Sequence, residues 1–270
     1  MQKVDIMEDK IKVDNIEINC LRTGNGDHKV FLLPGVVGTI WTDFSPQITG
    51  FDSKEFTVIA WDPPGYGKSR PPKRNFSDGF YERDADVAVK LIKVLNVDKC
   101  SFLGWSDGGI TSLIIAAKYP QIVNKLVIWG VNTFVSHEDF NAYEKIRNID
   151  DWSASMRNTM TNIYGHEGLQ SLMNDWLNGM REIEEKRNGD ICKEMVNKVI
   201  HPTLILHGAK DPLVPSKHYK FLHKNIPESK LHLFPDGKHN IHLKYAELFN
   251  KIVQSFLRGE STDEDFRCTL

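Results

Sequence analysis

Short runs of apolar, largely β-branched residues recur along the chain, each bounded by Gly, Pro or Asp. Most of these runs are too continuous to be half-exposed, which is typical of strands in a parallel sheet covered on both faces. The runs that fit this description lie at residues 30–33, 56–61, 100–105, 125–129, 203–207 and 231–234. Two earlier stretches, 10–13 and 16–22, flank Asp14-Asn15 and predict an N-terminal hairpin.

Between the runs, apolar residues repeat at the three-to-four-residue spacing of amphipathic helices. The clearest repeats are Val87, Leu91, Ile92 and Leu95; Ile110, Leu113, Ile114 and Ala117; and Ala246, Phe249, Ile252, Val253 and Phe256. Strands that alternate with helices predict an α/β fold built on a mostly parallel, doubly wound sheet.

The alternation breaks between about residues 133 and 198, where the apolar spacing is helical throughout. Ser136 and Asp139 match a capping box at the start of this segment. We interpret the segment as a helical cap inserted into the sheet domain. The predicted organisation is a core at 1–133, the cap at 134–199, the rest of the core at 200–258 and a polar tail at 259–270.

Composition narrows the classes of function. Hydrophobic residues make up 40% of the chain and charged residues 26%, as in an ordinary globular domain. The net charge of −2 offers no basic surface for nucleic acid or an anionic membrane. The N-terminal residues mix charged and apolar side chains, and no apolar run is long enough to span a bilayer. We therefore expect a monomer in the cytoplasm, with the mitochondrion as the alternative.

The sequence predicts neither a metal site nor a cofactor. The histidines do not combine with Cys or Asp at metal-binding spacing. Residues 65–69 end like a phosphate-binding loop, but Asp62 stands where that motif requires glycine, so a tight turn is the better interpretation. The cysteines lack CxxC spacing and are expected to be reduced thiols: Cys20, Cys100, Cys192 and Cys268.

The strongest chemical signal is the sequence Gly-Trp-Ser-Asp-Gly-Gly at residues 104–109, between a predicted strand and a predicted helix. A nucleophile elbow needs this context, because its turn is so sharp that Gly104 and Gly108 must lack side chains. Ser106 would then be exposed above the sheet as a nucleophile. The alternative is a glycine-rich turn with a capping serine.

A serine hydroxyl needs a base to remove its proton as it attacks. In this order of elements the acid and then the histidine follow the serine, each in a loop after a strand. Asp211 and His239 occupy such loops, and Asp211 would orient His239 and stabilise its imidazolium. The competing candidates are Asp236 as acid and His242 or His207 as base.

The residues after the early strand 30–33 are predicted to help form an oxyanion hole. The backbone N–H of Asp107 and one from this glycine-bearing loop, that of Val36, would bind the developing negative charge. Asp107 carries a carboxylate beside that charge, which is unfavourable unless a cation neutralises it. Alternatively, Asp107 turns away to cap the following helix or to bond a neighbouring residue.

With these residues in place, the chain resembles the α/β-hydrolase superfamily and, within it, the valacyclovir hydrolase (biphenyl hydrolase-like) family over nearly its whole length. The matching stretches lie at residues 33–35, 61–63, 104–110, 207–208, 211–215 and 237–240. The resemblance implies a serine hydrolase of α-amino acid esters with the triad Ser106, Asp211 and His239. It also implies that Asp107 binds the α-ammonium group of the substrate.

Two further expectations accompany the resemblance. Leu213, within one of the matching stretches, is expected to contact the small-molecule ester. The family has Met where this chain has Val36, so the acyl pocket is expected to differ in shape. The cap aromatics Trp152, Tyr164 and Trp176 either line the leaving-group side or form the core of the cap.

The same predicted triad could serve other functions. Carbon–carbon bond hydrolysis of dienoic ring-cleavage products, general carboxylesterase or lactonase activity, and ligand binding on a degenerate hydrolase fold are the alternatives. A negatively charged substrate would be repelled by Asp107, so charge preference separates amino ester hydrolysis from cleavage of dienoic acids. An aspartate nucleophile is excluded by Ser106 at the elbow.

Overall fold

The computed structural model describes residues 5–260, which contain an eight-stranded sheet. Its strands are β1 (Ile6–Val13), β2 (Ile16–Thr23), β3 (His28–Leu33), β4 (Phe56–Trp61), β5 (Cys100–Trp105), β6 (Val123–Trp129), β7 (Thr203–Gly208) and β8 (Lys230–Phe234). They lie in the order β1-β2-β4-β3-β5-β6-β7-β8. The pairs β1–β2 and β2–β4 are antiparallel, whereas the pairs from β4 to β8 are parallel. The predicted mostly parallel α/β sheet is confirmed.

Helices cover both faces of the sheet. They are α1 (Ile40–Gly50), α2 (Phe80–Val94), α3 (Asp107–Lys118), α4 (His137–Tyr143), α5 (Ala154–Tyr164), α6 (His166–Arg187), α7 (Ser216–Asn225), α8 (Ile241–Lys244) and α9 (Ala246–Arg258). Successive strand residues point to opposite faces. Phe31 and Phe102 therefore pack with α2 and α3, while Leu32 and Leu103 pack with α1 and α9. This two-sided burial explains why the strands lack polar alternation.

The N-terminal strands form the predicted hairpin. Asp14 in the connecting turn has a φ of +52°, a left-handed conformation that Asp tolerates better than most residues. β1 begins at Ile6, earlier than the apolar pattern predicts. The reason is that β1 lies at the edge of the sheet and is largely exposed, so its sequence needs no continuous apolar run.

Three helices, α4 to α6, lie between β6 and β7. The predicted capping box is present: the Ser136 N–H donates to Asp139 Oδ2 at 2.8 Å as α4 begins. The apolar stripe of α6 is buried, at Leu169, Leu172, Met173, Trp176, Leu177 and Met180. The division of the chain into core, cap and tail stays a prediction, and most of the predicted tail lies outside the described residues.

Two further expectations concern cysteines and membrane spans. Cys20, Cys100 and Cys192 are buried free thiols, whereas Cys268 lies outside the described residues. Within residues 5–260, no helix combines the length and the apolar character needed to cross a membrane.

Candidate active site

Ser106 occupies a strained turn between β5 and α3. Its φ of 52° and ψ of −119° lie outside the conformations common for residues with a side chain. A Cβ atom at Gly104 would lie 2.4 Å from the Gly108 carbonyl oxygen, and one at Gly108 would lie 2.0 Å from the Leu33 carbonyl oxygen. Both glycines are therefore required by the close approach of β5, α3 and the end of β3, as a nucleophile elbow demands.

Asp211 and His239 are brought together by the loops after β7 and β8. His239 Nδ1 donates to Asp211 Oδ2 at 2.8 Å. Asp211 Oδ1 accepts the backbone N–H groups of Leu213, at 2.9 Å, and of Val214, at 3.1 Å. Burial raises the pKa of the Asp211 carboxyl, but His239, His207 and the Leu213 N–H lower it by more, so the net pKa lies below its usual value. Asp211 can therefore hold the His239 imidazole in the orientation that a general base needs.

The competing acid and bases occupy other environments. The Asp236 side chain is 76% exposed and pairs with Lys210 at 2.5 Å. His242 is fully buried, its Nδ1 accepts the Trp129 indole N–H at 2.9 Å, and burial lowers its pKa to about 3. His207 Nε2 lies 3.0 Å from the Val214 carbonyl oxygen, a structural contact. Among these candidates, Asp211 and His239 are therefore the acid and histidine that hydrogen-bond to each other.

The loop after β3, residues 35–38, is here called the oxyanion loop. It lies against the nucleophile elbow, since a Cβ atom at Gly35 would be 3.4 Å from the Ser106 Cβ atom. Val36 is half-buried in this loop. Asp107 is the first residue of α3, so its backbone N–H takes no part in the hydrogen bonds of that helix. The predicted donors therefore belong to two segments that flank Ser106.

Asp43 holds the start of the oxyanion loop, a role that was not predicted from the sequence. The Gly35 N–H donates to Asp43 Oδ2 at 3.0 Å, and the Asp43 side chain is fully buried behind the loop. Burial raises the pKa of this carboxyl to about 7, although its hydrogen bonds from Thr42 and Gly35 oppose the shift. The local sequence does not reveal this role, because an Asp in the first turn of a helix such as α1 is common and is stabilised by the helix dipole.

The Asp107 side chain is 8% exposed, and its Oδ2 forms no hydrogen bond with any of residues 5–260. Burial raises the pKa of the carboxyl to about 6, while Tyr81, Arg74 and Trp176 act against burial. A cavity of about 10 Å³, enough for one water-sized group, lies beside it and is also lined by Arg74 and Thr111. One oxygen of this buried carboxyl therefore has no hydrogen-bond partner among residues 5–260, while Tyr81, Arg74 and Trp176 favour its ionised form.

Arg74 supplies a buried positive charge near Asp107. Its guanidinium binds Asp84 through two hydrogen bonds, of 2.7 and 2.5 Å, and lies 4.6 Å from the centre of the Tyr66 ring. Arg74 and Asp84 neutralise each other, so the unpaired charge in this region is that of Asp107.

The cap aromatics and Leu213 have distinct surroundings. The Trp152 indole N–H donates to the Ile146 carbonyl at 2.9 Å, within the segment between β6 and β7. Trp176 lies near Asp107 and lowers the pKa of its carboxyl. Leu213 is half-buried directly beside Asp211. Tyr164 contacts the oxyanion loop rather than only its own helices.

Within residues 5–260, no group of three or more His, Cys, Asp or Glu side chains is arranged to hold a metal ion.

Comparisons with known proteins place these residues in a family. The family model described as alpha/beta hydrolase fold matches residues 29–154 and 131–245. The human serine hydrolase BPHL is 48% identical over 249 residues, which cover 92% of this chain and 86% of that protein. A Pseudomonas 2-hydroxy-6-oxononadienedioate/2-hydroxy-6-oxononatrienedioate hydrolase is 25% identical over 94% of this chain and 95% of its own.

A solved structure shows the same fold. The 2-hydroxy-6-oxo-6-phenylhexa-2,4-dienoate hydrolase from Rhodococcus sp. strain RHA1 superposes with a TM-score of 0.81 at 16% sequence identity, covering 95% of this chain and all of that one. The family match, the identity with BPHL and the strained serine turn agree. The chain belongs to the α/β-hydrolase family and is a serine hydrolase.

Proposed function

We propose that this serine hydrolase cleaves α-amino acid esters through an acyl-enzyme on Ser106. His239 takes the Ser106 proton as the oxygen attacks the ester carbonyl, and Asp211 stabilises the imidazolium. The N–H groups of Val36 and Asp107 bind the oxyanion. When the C–O bond to the alcohol breaks, His239 returns the proton to the alcohol oxygen. Water then attacks the acyl-enzyme with His239 as base, releasing the amino acid and Ser106.

The observation that carries the amino acid part of this proposal is the buried Asp107 carboxylate, one oxygen of which lacks a hydrogen-bond partner among the described residues. It directly follows the proposed nucleophile in sequence, and the proposal places it near the acyl group of an ester bound at Ser106. Its Oδ2 forms no hydrogen bond with residues 5–260 and adjoins a cavity of about 10 Å³. An ammonium group is about the size of a water molecule, supplies N–H donors and neutralises the charge.

The size of the expected preference follows from Coulomb attraction. At about 4 Å and an effective dielectric near 20, a carboxylate attracts an ammonium by roughly 4 kcal/mol before desolvation. If half of this attraction survives desolvation, amino esters exceed matched des-amino esters by about 30-fold in kcat/KM. The same charge disfavours anionic substrates. The Pseudomonas relative is named for a dicarboxylate substrate, and its sequence is only 25% identical.

The test compares alanine benzyl ester with benzyl propanoate, which differ only in the α-amino group. Wild-type enzyme should prefer the alanine ester by about 30-fold in kcat/KM. Asp107→Asn retains the backbone N–H and side-chain shape, so it should lose most activity on the alanine ester and retain activity on the propanoate. Asp236→Asn, at an exposed carboxylate, is the matched control and should behave like wild type. Equal losses on both esters in Asp107→Asn would contradict the ammonium-binding role.

A further inference from the structure

The oxyanion loop contains a strained residue beside the proposed donor Val36. Val37 has a φ of +54°, a left-handed conformation that is rare for a β-branched side chain. It is 1% exposed, so its backbone polar groups lack bulk water as a partner. Such a conformation persists only when surrounding contacts hold it. The contact that holds the Val37 carbonyl is therefore important for the shape of the loop.

That contact comes from the helical segment between β6 and β7. The Tyr164 hydroxyl, at the end of α5, donates to the Val37 carbonyl oxygen at 2.8 Å. The same hydroxyl accepts the Gly67 backbone N–H at 3.0 Å. One hydroxyl thus satisfies two buried backbone groups in two different loops. A phenylalanine at this position would leave both groups without this partner.

The end of α5 is itself fixed to the loop that contains Gly67. Arg70 Nη2 donates to the Ile163 carbonyl at 2.7 Å, and its guanidinium lies 4.8 Å from the centre of the Tyr164 ring. Arg70 Nε also donates to the Gly67 carbonyl at 2.8 Å. Arg70 therefore holds the tyrosine ring beside the loop of Gly67, whose N–H donates to the Tyr164 hydroxyl. The position of the Tyr164 hydroxyl is restricted by these contacts before any substrate binds.

We propose that Tyr164 is a positioning residue for the oxyanion hole and links the helical segment to the catalytic centre. The inference rests on the proposed acyl transfer at Ser106, but not on the amino acid preference. An oxyanion hole accelerates acyl transfer because its donors are already oriented when charge develops. Asp43 fixes the loop at Gly35, and Tyr164 fixes it at Val37, on either side of Val36.

The proposal predicts the kinetic character of Tyr164→Phe. The variant should lose about 10- to 100-fold in kcat for benzyl propanoate and for alanine benzyl ester alike, less than the loss of a whole oxyanion donor. KM should change less than about threefold, because the lost contribution appears mainly in the transition state. The ratio between the two esters should stay at its wild-type value.

A second measurement separates loop positioning from a loss of folded enzyme. Titration of active serines with a fluorophosphonate gives the active fraction, and rates are expressed per active site. Inhibition by an alkyl trifluoromethyl ketone, which forms a tetrahedral oxyanion on the serine, should weaken by the same factor as kcat/KM. The matched control is Tyr119→Phe, which removes a hydroxyl that donates to Asp86 on α2 at 2.7 Å. It should keep wild-type kinetics and inhibition.

Three results would overturn the role of Tyr164. They are wild-type kcat per active site, a raised KM with unchanged kcat, or a loss of kcat with unchanged ketone inhibition. Failure of the proposed function looks different, because it appears as equal kcat/KM on the two esters in the wild-type enzyme. The two hypotheses can therefore be rejected separately.

Discussion

The indole N–H of Trp105 donates a 3.0 Å hydrogen bond to the backbone carbonyl of His239. Trp105 is the last residue of β5 and directly precedes Ser106. Its ring also lies 5.3 Å from the imidazole ring, centre to centre. The residue before the proposed nucleophile thus holds the backbone of the proposed base, a contact that restricts how His239 can move relative to Ser106.

Removing this hydrogen bond should slow the chemical step. Trp105→Phe retains an aromatic ring but loses the N–H, so the loop of His239 gains freedom relative to Ser106. We expect kcat to fall by roughly tenfold with little change in KM, since misplacement of catalytic groups by about 1 Å costs up to 100-fold. Steady-state kinetics on benzyl propanoate measures the effect. Trp41→Phe, at an exposed tryptophan bonded to Glu8, is the control. A Trp105→Phe rate within twofold of wild type would contradict the prediction.

Replacing members of the proposed triad tests each assignment. Ser106→Ala should abolish fluorophosphonate labelling and lower turnover by roughly 10⁴–10⁶. Asp211→Asn should fold but lose about 10⁴ in kcat, because the amide leaves His239 in the wrong tautomer. The Asp236→Asn enzyme serves as control, with an expected rate near wild type. A loss below tenfold in Asp211→Asn would instead assign the acid role elsewhere.

The preference for amino esters should depend on pH through Asp107. Because burial raises the pKa of this carboxyl to about 6, its charge is lost as the pH falls through that value. The amine loses its proton above about pH 7.7. The ratio of kcat/KM for alanine benzyl ester over benzyl propanoate should therefore be highest between these values. Both esters use the same proposed base, so a change in that base affects both rates equally and cancels in the ratio. A ratio that stays constant from pH 5 to pH 7 would exclude Asp107 as the source.

The buried Asp139 should contribute to stability more than to chemistry. Its carboxylate accepts a hydrogen bond from His218 Nε2 at 3.1 Å and lies 3.0 Å from Lys217 Nζ. Both partners are on α7, so these contacts join α4 to the core. Asp139→Asn should lower the free energy of unfolding by about 2–4 kcal/mol, because a buried charged network loses one member. Urea denaturation at pH 7 measures the loss. Glu138→Gln, at a side chain that is 76% exposed, should change stability by less than about 0.5 kcal/mol.

The stability difference between wild type and Asp139→Asn should depend on pH. Burial raises the pKa of Asp139, but His218, Lys217 and Ser136 lower it more, so the folded-state pKa lies far below its usual value. A depressed pKa gives stability above the unfolded-state pKa of about 3.9 that is lost as pH falls towards the folded-state value. The difference in unfolding free energy between wild type and Asp139→Asn should therefore shrink below about pH 4. A difference that grows in acid would contradict the charge-based explanation.

Much of the fold and the positions of the candidate site residues could be predicted because their signals are local. A strand covered on both faces requires a continuous apolar run, as in Phe56–Trp61, and an elbow requires glycines at fixed distances from its serine. Loops after successive parallel strands meet at one edge of the sheet, so Asp211 and His239 were expected to be neighbours. The first residue of the edge strand β1 was predicted less accurately, because an exposed strand does not need a continuous apolar run.

Tertiary structure alone decided which groups hold this site in shape. The residues in the Tyr164–Val37 bond are 127 positions apart, and those in the Trp105–His239 bond are 134 apart. A tyrosine at the end of an amphipathic helix has the same local pattern whether it packs in the cap or reaches the oxyanion loop. The sheet order and the placement of Asp43 behind Gly35 are likewise absent from local spacing. Periodicity records how much of an element is buried, whereas the partner of a buried polar atom depends on the packing of distant elements.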